Sequence, residues 1–473
     1  MANHFSSRYQ NKLTLSILVF LGCLFFLPPT DPDLGWQLRC GEQIWQTGKV
    51  CSVNTFSVLL PDYASAYTAT LYQGILYPFY KILGLNGLSL LNSLIVSASF
   101  YFLFKINGQK NLRIIFLPLA IFLSWTVFGF GIRSQLTSLL YFCLLLWLFE
   151  KSQENYKCFY YTPLVLFLWA NSHGSFIIGL IMIAAFGVSK LKYFVRSAVV
   201  GIISIIATLI NPYGVRIYTE AWNHLYRVKL NTLIAEWVPP LPLYQLVVYL
   251  FLFLGIYLLF KYKKQSLSLF KLLLLISFAY LALKARRNLS YFFIFSAYLT
   301  TTIPYQLTMR KEKLLNSLAL LVGIFIFTYG FFYQFPKTLM ANHNWASFCR
   351  AGQVEYPYRA VEFLRQQTPG NIFNRYEWGG YLIWQLPKNK VFVDGRMPAW
   401  ITPSGKSPYT IFLETYLPSP GWQETLKQYN ISWILINPYG YLDAVLEPDP
   451  GKYGWQEVYR DPVAVVYKNI NNQ

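Results

Sequence analysis

Two aspartates follow the first apolar segment of the chain, in the sequence PPTDPDLGWQL of residues 28–38. Prolines stiffen the backbone there, so Asp31 and Asp33 are expected to be held near the membrane surface. A carboxylate fixed in that place can take a proton from a hydroxyl group, or help to hold a divalent cation such as Mg²⁺ or Mn²⁺. Alternatively, the two aspartates only turn the chain and cap a helix that begins near Leu34. The spacing favours neither interpretation.

A second group of residues is basic and lies on connections that the charge pattern assigns to the outer face. Positive charge is usually excluded from that face, so cations kept there indicate anion binding, and arginine suits a phosphate or diphosphate. Contact with lipid headgroups is the alternative, although anion binding is favoured for the short segment 284–288. The residues are Arg133, Arg216, Arg227, Lys229, Lys284, Arg286 and Arg287.

Further polar residues are expected at the same outer level and could line a pocket. His173 lies in the sequence WANSHG and is either a site residue or a structural hydrogen-bonding group. The turn at 211–214 ends an apolar segment, and Glu236 closes an outer loop. The predicted pocket residues are Gln37, Glu42, Asn171, His173, Asn211, Tyr213, Glu236 and Asn288.

The composition predicts the helices that must position these groups. The 473 residues are 55% hydrophobic and only 13% charged, which is typical of a membrane protein. Many Trp and Tyr residues end apolar runs, as they do in membrane-interface belts. Apolar segments of sufficient length predict about eleven transmembrane helices, at 12–28, 87–105, 112–129, 134–149, 159–171, 174–189, 196–211, 243–260, 267–284, 289–307 and 314–334.

Clusters of Lys and Arg on every second connection predict the orientation, since positive loops face the cytoplasm. The first apolar segment lacks a cleavage site and is expected to stay as a helix. The N-terminus is then cytoplasmic and residues after 334 are extracytoplasmic, in a multi-pass protein of the cell (inner) membrane. The net charge of +20 follows from these clusters, and without a continuous basic face nucleic-acid binding is not expected.

The domain organisation follows from the same pattern. Residues 1–335 are predicted to form a transmembrane domain with two long outer loops, 29–86 and 211–242. Strands alternating with helices predict a soluble extracytoplasmic α/β domain over 340–473, with a helix at 358–367 and strands at 372–373, 391–394, 433–436, 456–459 and 464–467. Cys40 and Cys51 share the first outer loop, where a disulfide could form.

The chain resembles the glycosyltransferase C superfamily, polytopic enzymes that transfer a sugar from a polyprenyl-phosphate carrier on the outer face of a membrane. The resemblance rests on a cytoplasmic N-terminus, an acidic motif in the first outer loop and a C-terminal outer domain. Within it, the chain is similar to a group of bacterial membrane proteins through the sequences DPDLGWQL (31–38), WANSHG (169–174), NPYG (211–214), RRN (286–288) and YEWGGY (376–381). That group usually has His where this chain has Gln37.

The resemblance implies a cell-envelope glycosyltransferase with Asp31 and Asp33 as catalytic residues. Arg133, Arg216, Lys284, Arg286 and Arg287 would bind the donor phosphate, and a glycan, a lipid or a protein would be the acceptor. Two other functions stay open. One is transport of a lipid or a sugar-lipid. The other is a non-catalytic scaffold that binds glycans through aromatic residues of the outer domain, which could equally fill its core: Trp378, Trp384, Trp400 and Trp422.

Overall fold

The structure is a computed structural model that describes residues 19–106, 108, 110–124, 133–223, 236–262, 269–303, 309–351 and 354–471. The chain forms two units, each with its own internal contacts. One unit, called the helical unit below, comprises residues 1–28, 86–215 and 231–339. The other, called the outer unit, comprises residues 29–85, 216–230 and 340–473.

Apolar helices make up the helical unit, because runs rich in Leu, Ile and Phe satisfy their backbone groups internally. Helix α2 (Thr70–Lys105) belongs to the outer unit up to residue 85 and to the helical unit from residue 86, and it contains a non-helical break at Gly84 (φ 59°). The helices are α2 (Thr70–Lys105), α3 (Lys110–Leu123), α4 (Gln135–Glu154), α5 (Thr162–Ala170), α6 (Phe176–Ser189), α7 (Phe194–Leu209), α9 (Pro242–Lys261), α10 (Leu269–Lys284), α11 (Leu289–Thr302) and α12 (Met309–Tyr329).

Three helical segments of the described chain are long and apolar enough to cross a membrane: 70–105, 242–261 and 310–341. Shorter apolar helices lie at 112–121, 176–189 and 194–209. Every predicted span from 87–105 onward overlaps a helix, and residues 19–24 of the first are helical. The protein is therefore helical with candidate membrane spans, and the number of crossings, about eleven by composition, stays a prediction.

Buried polar contacts join helix ends within the helical unit. The Arg113 guanidinium is buried and donates to the Leu103 carbonyl at 2.8 Å and to the Thr301 hydroxyl at 3.2 Å. Lys271 forms an ion pair with Glu150 at 3.1 Å. A buried cation is tolerated when its hydrogen bonds are made, so these pairs fix how α3, α4, α10 and α11 meet.

The outer unit combines the first loop with the C-terminal segment. Its short helices are α1 (Leu34–Thr47), α8 (Arg216–Trp222), α13 (Phe335–Ala341, of which residues 335–339 belong to the helical unit), α14 (Trp345–Arg350), α15 (Tyr358–Leu364), α16 (Gly379–Gln385), α17 (Pro408–Tyr416), α18 (Trp422–Gln428) and α19 (Tyr441–Leu446). The sheet has the strands β1 (Asn371–Asn374), β2 (Ile431–Ile436), β3 (Trp455–Arg460) and β4 (Val465–Asn469), in the order β1-β2-β4-β3.

The sheet is mixed. Strands β1 and β2 are parallel, whereas β4 pairs antiparallel with both β2 and β3. The central strand β2 is apolar on both faces, as expected when helices cover a sheet, and its residues Ile431 and Ile434 to Ile436 are buried. Leu59 of the first loop lies in the same hydrophobic core, so this loop is part of the α/β domain's packing.

The strand predicted at 391–394 is wrong. Val391 forms only isolated bridges, to Ser57 and to Ile372. The Phe392 backbone N–H donates both to the Ile372 carbonyl of β1 and to Asn374 Oδ1, each at 2.8 Å, whereas the Val393 N–H donates to Asn374 Oδ1 at 3.4 Å. The segment therefore leaves the sheet and turns toward residues 394–396.

Candidate active site

Asp33 stands at the N-cap position of α1, but its side chain makes no capping hydrogen bond. Instead, its Oδ1 accepts the indole N–H of Trp36 at 3.0 Å. Asp31 is buried, and its Oδ1 accepts the Asp33 backbone N–H at 3.2 Å. The Asp31 carbonyl accepts the hydroxyl of Tyr356 at 3.3 Å. The capping interpretation therefore does not account for the Asp33 carboxylate.

The Asp33 carboxylate lies directly against the backbone of Gly395. A Cβ atom on residue 395 would be 1.8 Å from Asp33 Oδ1, a separation that no pair of non-bonded atoms can adopt. Only glycine allows the carboxylate to lie there. The sequence DGR of residues 394–396, which begins at the last residue of the expected strand 391–394, is thus one wall of the acidic site.

Asp394 and Arg396, which flank Gly395, fix the conformation of this turn. Asp394 is fully buried, and its carboxylate accepts Arg396 Nε and Nη2, each at 2.7 Å. Arg396 Nη2 also donates to Asn54 Oδ1 at 3.1 Å. Buried bidentate pairs of this kind have a narrow geometry, so the turn that carries Gly395 is held rigidly.

Glycine contacts also join α1 to α16. A Cβ atom on Gly35 would lie 1.9 Å from the Gly380 carbonyl oxygen, and one on Gly380 would lie 2.1 Å from the Pro32 carbonyl oxygen. These glycines permit an approach between backbones that any other residue would block. The motifs DPDLGW, YEWGGY and DGR, distant in sequence, therefore converge on one place in the outer unit, which we call the acid cluster: Asp31, Asp33, Gly395, Asp394 and Arg396.

A disulfide bond stabilises the loop beside the acid cluster. Cys40 and Cys51 are bonded, with Cα atoms 5.6 Å apart. Cys40 lies in α1, while Cys51 precedes Asn54, the residue that holds Arg396. The disulfide that the sequence left open is present in the structure.

The charges of the carboxylates affect the pKa values of two tyrosines in the outer unit. Burial raises the pKa of Tyr356, and the charges of Asp31 and Asp33 raise it further. Burial also raises the pKa of Tyr376, again with contributions from Asp33 and Asp394. Both phenols therefore stay protonated at neutral pH beside the acid cluster.

A basic cluster lies in the helical unit, and we define it by Arg133, Glu236, Trp237 and Arg287. Arg133 forms an ion pair with Glu236. The backbone N–H of Arg287 donates to the Glu236 carbonyl at 3.2 Å, and its guanidinium lies 4.5 Å from the centre of the Trp237 ring. Burial opposes ionisation of Glu236, but Arg133 and Arg287 outweigh it and lower its pKa. Two guanidinium groups thus face one carboxylate, leaving an excess positive charge.

His173 is held beside this cluster by hydroxyl groups. Its Nδ1 lies 2.9 Å from Ser138 Oγ and 2.8 Å from Ser175 Oγ, and it accepts the Ser175 backbone N–H at 3.2 Å. Nδ1 is therefore an acceptor, which places the proton of the neutral ring on Nε2. Burial, followed by the charges of Arg287 and Arg133, lowers the pKa of His173 to about 3, so the ring is neutral at physiological pH.

Other predicted residues of the helical unit support turns. Asn171 donates to the carbonyls of Phe167 and Ile210, each at 2.9 Å. Asn211 accepts the backbone N–H of Tyr213 at 2.7 Å within its own turn. The segment 284–288 contacts the loop of Glu236 through Arg286, which donates to the Pro239 carbonyl at 3.3 Å. Lys284 and Asn288 instead contact the preceding helix α10, over the Tyr280 ring and at the Leu281 carbonyl (3.1 Å).

The remaining predicted residues lie in the outer unit. Gln37 is buried and accepts from Gln73 at 2.9 Å. Glu42 forms an ion pair with Arg39. Arg216 donates to the Ala64 carbonyl at 2.5 Å, so it belongs to a different unit from Arg133 and Arg287. Arg227 and Lys229 lie outside the described residues.

The tryptophans considered for glycan stacking mostly fill space inside the outer unit. Trp378 and Trp400 are each only 2% exposed, whereas Trp384 and Trp422 are half-buried. The indole N–H of Trp378 donates to the Glu355 carbonyl at 2.9 Å. Trp378 and Trp400 therefore fill the core, which is one of the two alternatives that the sequence left open.

Within the part of the chain that the structure describes, no three His, Cys, Asp or Glu side chains are grouped so that they could hold a metal ion. Mg²⁺ and Ca²⁺ sites are built from several oxygen ligands. The described residues therefore do not fit such a site.

The comparisons with known proteins concern structure, since no protein-family model and no curated protein sequence matches the chain. The apo oligosaccharyltransferase of Archaeoglobus fulgidus matches with a TM-score of 0.57 at 11% identity, over 91% of this chain and 70% of that chain. ArnT from Cupriavidus metallidurans bound to undecaprenyl phosphate matches with a TM-score of 0.53 at 12% identity, over 100% of this chain and 99% of that chain.

A third match is the archaeal oligosaccharyltransferase AglB from Archaeoglobus fulgidus in complex with an inhibitory peptide and a dolichol-phosphate, with a TM-score of 0.55 at 11% identity, over 98% of this chain and 74% of that chain. A further structure of the Archaeoglobus enzyme is a complex with Zn and sulfate. At these identities the likeness concerns the fold alone. The chain has the fold of the glycosyltransferase C superfamily, as the sequence resemblance predicted.

Proposed function

We propose that the chain is a membrane glycosyltransferase that moves a sugar from a polyprenyl-phosphate carrier to an acceptor hydroxyl, with Asp33 as the general base. The observation that carries the proposal is the Asp33 carboxylate, held against Gly395 and by Trp36 in a chain with this fold. Proteins of the same fold bind undecaprenyl phosphate or dolichol-phosphate. The reaction would take place at the outer face of the cell membrane, with the N-terminus cytoplasmic.

The reaction is a displacement at the anomeric carbon of the sugar. Asp33 takes the proton of the acceptor hydroxyl, because a neutral hydroxyl is a poor nucleophile. The new bond forms between the acceptor oxygen and the anomeric carbon, while the bond from that carbon to the phosphate oxygen breaks. The polyprenyl phosphate leaves with the electron pair, and a single displacement inverts the anomeric configuration.

The basic cluster is suited to the leaving group. Negative charge grows on the phosphate as the bond breaks, and fixed cations stabilise charge that develops in the transition state. Arg287 and Arg133 supply two guanidinium groups against the single carboxylate of Glu236. Lys284 and Arg286 of the same unit complete the proposed donor-binding set, and neutral His173 is a hydrogen-bonding group in it.

The proposal is tested by sugar transfer from a panel of radiolabelled undecaprenyl-phosphate sugars into membrane lipids and polymers. We expect transfer with the unmodified chain and a loss of roughly 10²- to 10⁴-fold in Asp33→Asn, the usual contribution of a general base. Glu362→Gln is the matched control, because it also neutralises a carboxylate of the outer unit, but one in an exposed ion pair with Arg365.

Nearly full transfer by a folded Asp33→Asn, Asp31→Asn double variant would refute this mechanism. If the chain instead moves the labelled lipid across vesicle membranes without sugar transfer, the transport function gains support. Repeating the assay with a chelator tests whether Mg²⁺ or Mn²⁺ takes part.

A further inference from the structure

The sequence Asn-Pro-Tyr-Gly occurs twice, at 211–214 and at 437–440, and the two copies fold differently. In the first, Gly214 takes the positive φ of 56° and Tyr213 is buried. In the second, Tyr439 itself takes the positive φ of 59°, and 83% of its surface is exposed. A positive φ is unfavourable for an aromatic residue, and the glycine beside it does not adopt one.

Buried polar groups impose this unfavourable conformation. The backbone N–H of Tyr439 donates to Asp443 Oδ2 at 2.7 Å. Asp443 is fully buried, and its carboxylate also accepts from Arg460 at 3.0 Å and from the Tyr467 hydroxyl at 2.5 Å. The turn that projects Tyr439 is thus fixed from inside the domain. Local strain maintained by its surroundings is a feature of binding and catalytic sites.

Tyr439 lies two residues before Tyr441, which is the exposed end of a row of aromatic residues in the outer unit. From the acid cluster outward, the ring centres of Tyr376 and Tyr409 are 4.7 Å apart, and Phe412 links Tyr409 to Tyr416 at 6.0 and 5.5 Å. Tyr416 and Tyr441 follow at 6.2 Å. The row begins with Tyr376, near Asp33. Burial raises the pKa of Tyr376, and the charge of Asp33 raises it further. Phe412 is buried in the hydrophobic core of the domain, and the half-buried rings of the three tyrosines before Tyr441 pack against that core. Tyr441, in contrast, is 66% exposed.

Hydrogen-bonding groups accompany the rings, and the charges beside them are balanced. The Tyr416 hydroxyl donates to Asn437 Oδ1 at 2.6 Å. Arg375 and Glu377 form an ion pair at 2.9 Å, and so do Lys406 and Glu414 at 2.8 Å. A surface without excess charge does not favour nucleic acid or anionic lipid. Exposed tyrosines with amide and paired-ion neighbours suit an uncharged ligand that has both apolar faces and hydroxyl groups.

We propose that this tyrosine track, defined by Tyr376, Tyr409, Tyr416, Tyr441 and Tyr439, binds a neutral oligosaccharide as the acceptor. Sugar rings stack on the exposed faces of Tyr439 and Tyr441, and the growing end reaches the acid cluster. The acceptor role rests on the function proposed above, whereas carbohydrate binding does not.

The experiment measures binding of maltohexaose, cellohexaose and chitohexaose to the full-length protein in lipid nanodiscs, by calorimetry and by saturation-transfer NMR, without a sugar donor. We expect at least one hexasaccharide to bind, with saturation transferred to its ring protons. The double variant Tyr439→Gly, Tyr441→Ala should lose about tenfold or more in affinity, since each tenfold is about 1.4 kcal/mol and two ring contacts are removed.

Two variants separate binding from folding. Tyr439→Gly suits the positive φ, so its unfolding temperature should stay unchanged or rise while affinity falls. Tyr439→Phe keeps the ring and should bind within about threefold of the unmodified chain, because stacking uses the ring face. No binding of any hexasaccharide, or unchanged affinity in the double variant, would overturn the tyrosine track.

The identity of the occupant is tested in cells by replacing Tyr439 with the photo-crosslinker p-benzoylphenylalanine. An adduct destroyed by periodate is expected for carbohydrate, whereas a phospholipid or protein adduct would contradict the proposal. Failure of the two proposals can be told apart. Binding without sugar transfer refutes the glycosyltransferase and keeps the track, while transfer with an unchanged acceptor KM in Tyr439→Gly refutes the track alone.

Discussion

The acid cluster and the basic cluster are held by different kinds of contact. In the outer unit, the Asp33 carboxylate lies on the backbone of Gly395, where even one added carbon atom would collide with it. In the helical unit, the Arg133–Glu236 pair and the Arg287–Trp237 contact hold the side chains by charge and ring stacking. The first arrangement tolerates no change of shape, whereas the second depends on the balance of charges.

This difference matches the part that each cluster takes in the proposed reaction. A general base must lie within hydrogen-bond reach of one proton, so its position has to be fixed closely. A phosphate carries charge over several oxygens and can be stabilised from more than one direction. We therefore expect catalysis to depend on shape in the acid cluster and on charge in the basic cluster.

The largest effect is expected from Gly395→Ala. The new Cβ atom would lie 1.8 Å from Asp33 Oδ1, so the carboxylate must move by an ångström or more. A misplacement of about 1 Å can lower a rate by about 10²-fold, and kcat should fall accordingly with little change in donor KM. The measurement is steady-state transfer with the labelled donor.

Gly74→Ala is the control for Gly395→Ala, because Gly74 lies in α2 of the same unit and a Cβ atom there meets no atom within 4 Å. It should keep full activity. Equal rates for the two alanine variants would show that the position of Asp33 does not limit the reaction.

The next effect concerns charge. Arg287→Gln removes one of two guanidinium groups from the basic cluster, and hydrogen bonds to charged groups are commonly worth a factor of roughly ten to a hundred. We expect kcat/KM for the lipid-phosphate donor to fall by that factor. Arg287→Lys should recover part of the loss because it restores the charge.

Arg196→Gln provides the comparison for Arg287→Gln, since Arg196 is an exposed cation of the helical unit that is predicted to be cytoplasmic. A similar loss in Arg196→Gln would indicate a general dependence on net charge and would contradict a specific role for Arg287.

A smaller effect is expected from Arg396→Lys. Lysine keeps the charge but cannot bind Asp394 with two parallel hydrogen bonds and also reach Asn54. The turn carrying Gly395 should loosen, and kcat should fall by about tenfold or less. Arg365→Lys, in an exposed pair with Glu362, should not change kcat. An effect of Arg396→Lys on stability alone would mean that the turn does not position Asp33.

The sequence predicted much of the fold because hydropathy is a local property. Apolar runs such as 243–260 and 174–189 became helices with nearly the predicted bounds, and the strands at 433–436 and 464–467 were confirmed. The predicted strand at 391–394 failed because its backbone pairing with β1 and with residues 56–58 ends at Phe392. The apolar residue types of this segment do not reveal where its pairing ends.

The candidate site was predictable only in pieces. The motif of Asp31 and Asp33 was found from its residue types, whereas of the sequence DGR at 394–396 only Asp394 lay in a predicted element. Their contact depends on glycines at 35, 380 and 395 that permit close approach, and one sequence does not reveal which glycines face each other. The exposure of Tyr439 was equally hidden, because the identical tetrapeptide at 211–214 buries its tyrosine.

The smallest expected effect concerns His173 and pH. Burial and the charges of Arg287 and Arg133 lower its pKa in the folded state from 6.5 to about 3. Below pH 6.5 the unfolded chain takes up a proton that the folded chain does not, so the fold loses stability as the pH falls toward 3. Glu236, whose pKa is lowered from 4.5, contributes only at still lower pH. Glu220, whose pKa is raised by burial, acts in the opposite sense, so the contribution of His173 is isolated by comparison with a variant that lacks it. The unfolding temperature of His173→Gln should therefore fall less between pH 7 and pH 5 than that of the unmodified chain.

An identical fall in both proteins would show that His173 is protonated in the folded state, and the basic cluster would then carry one more positive charge than the structure indicates.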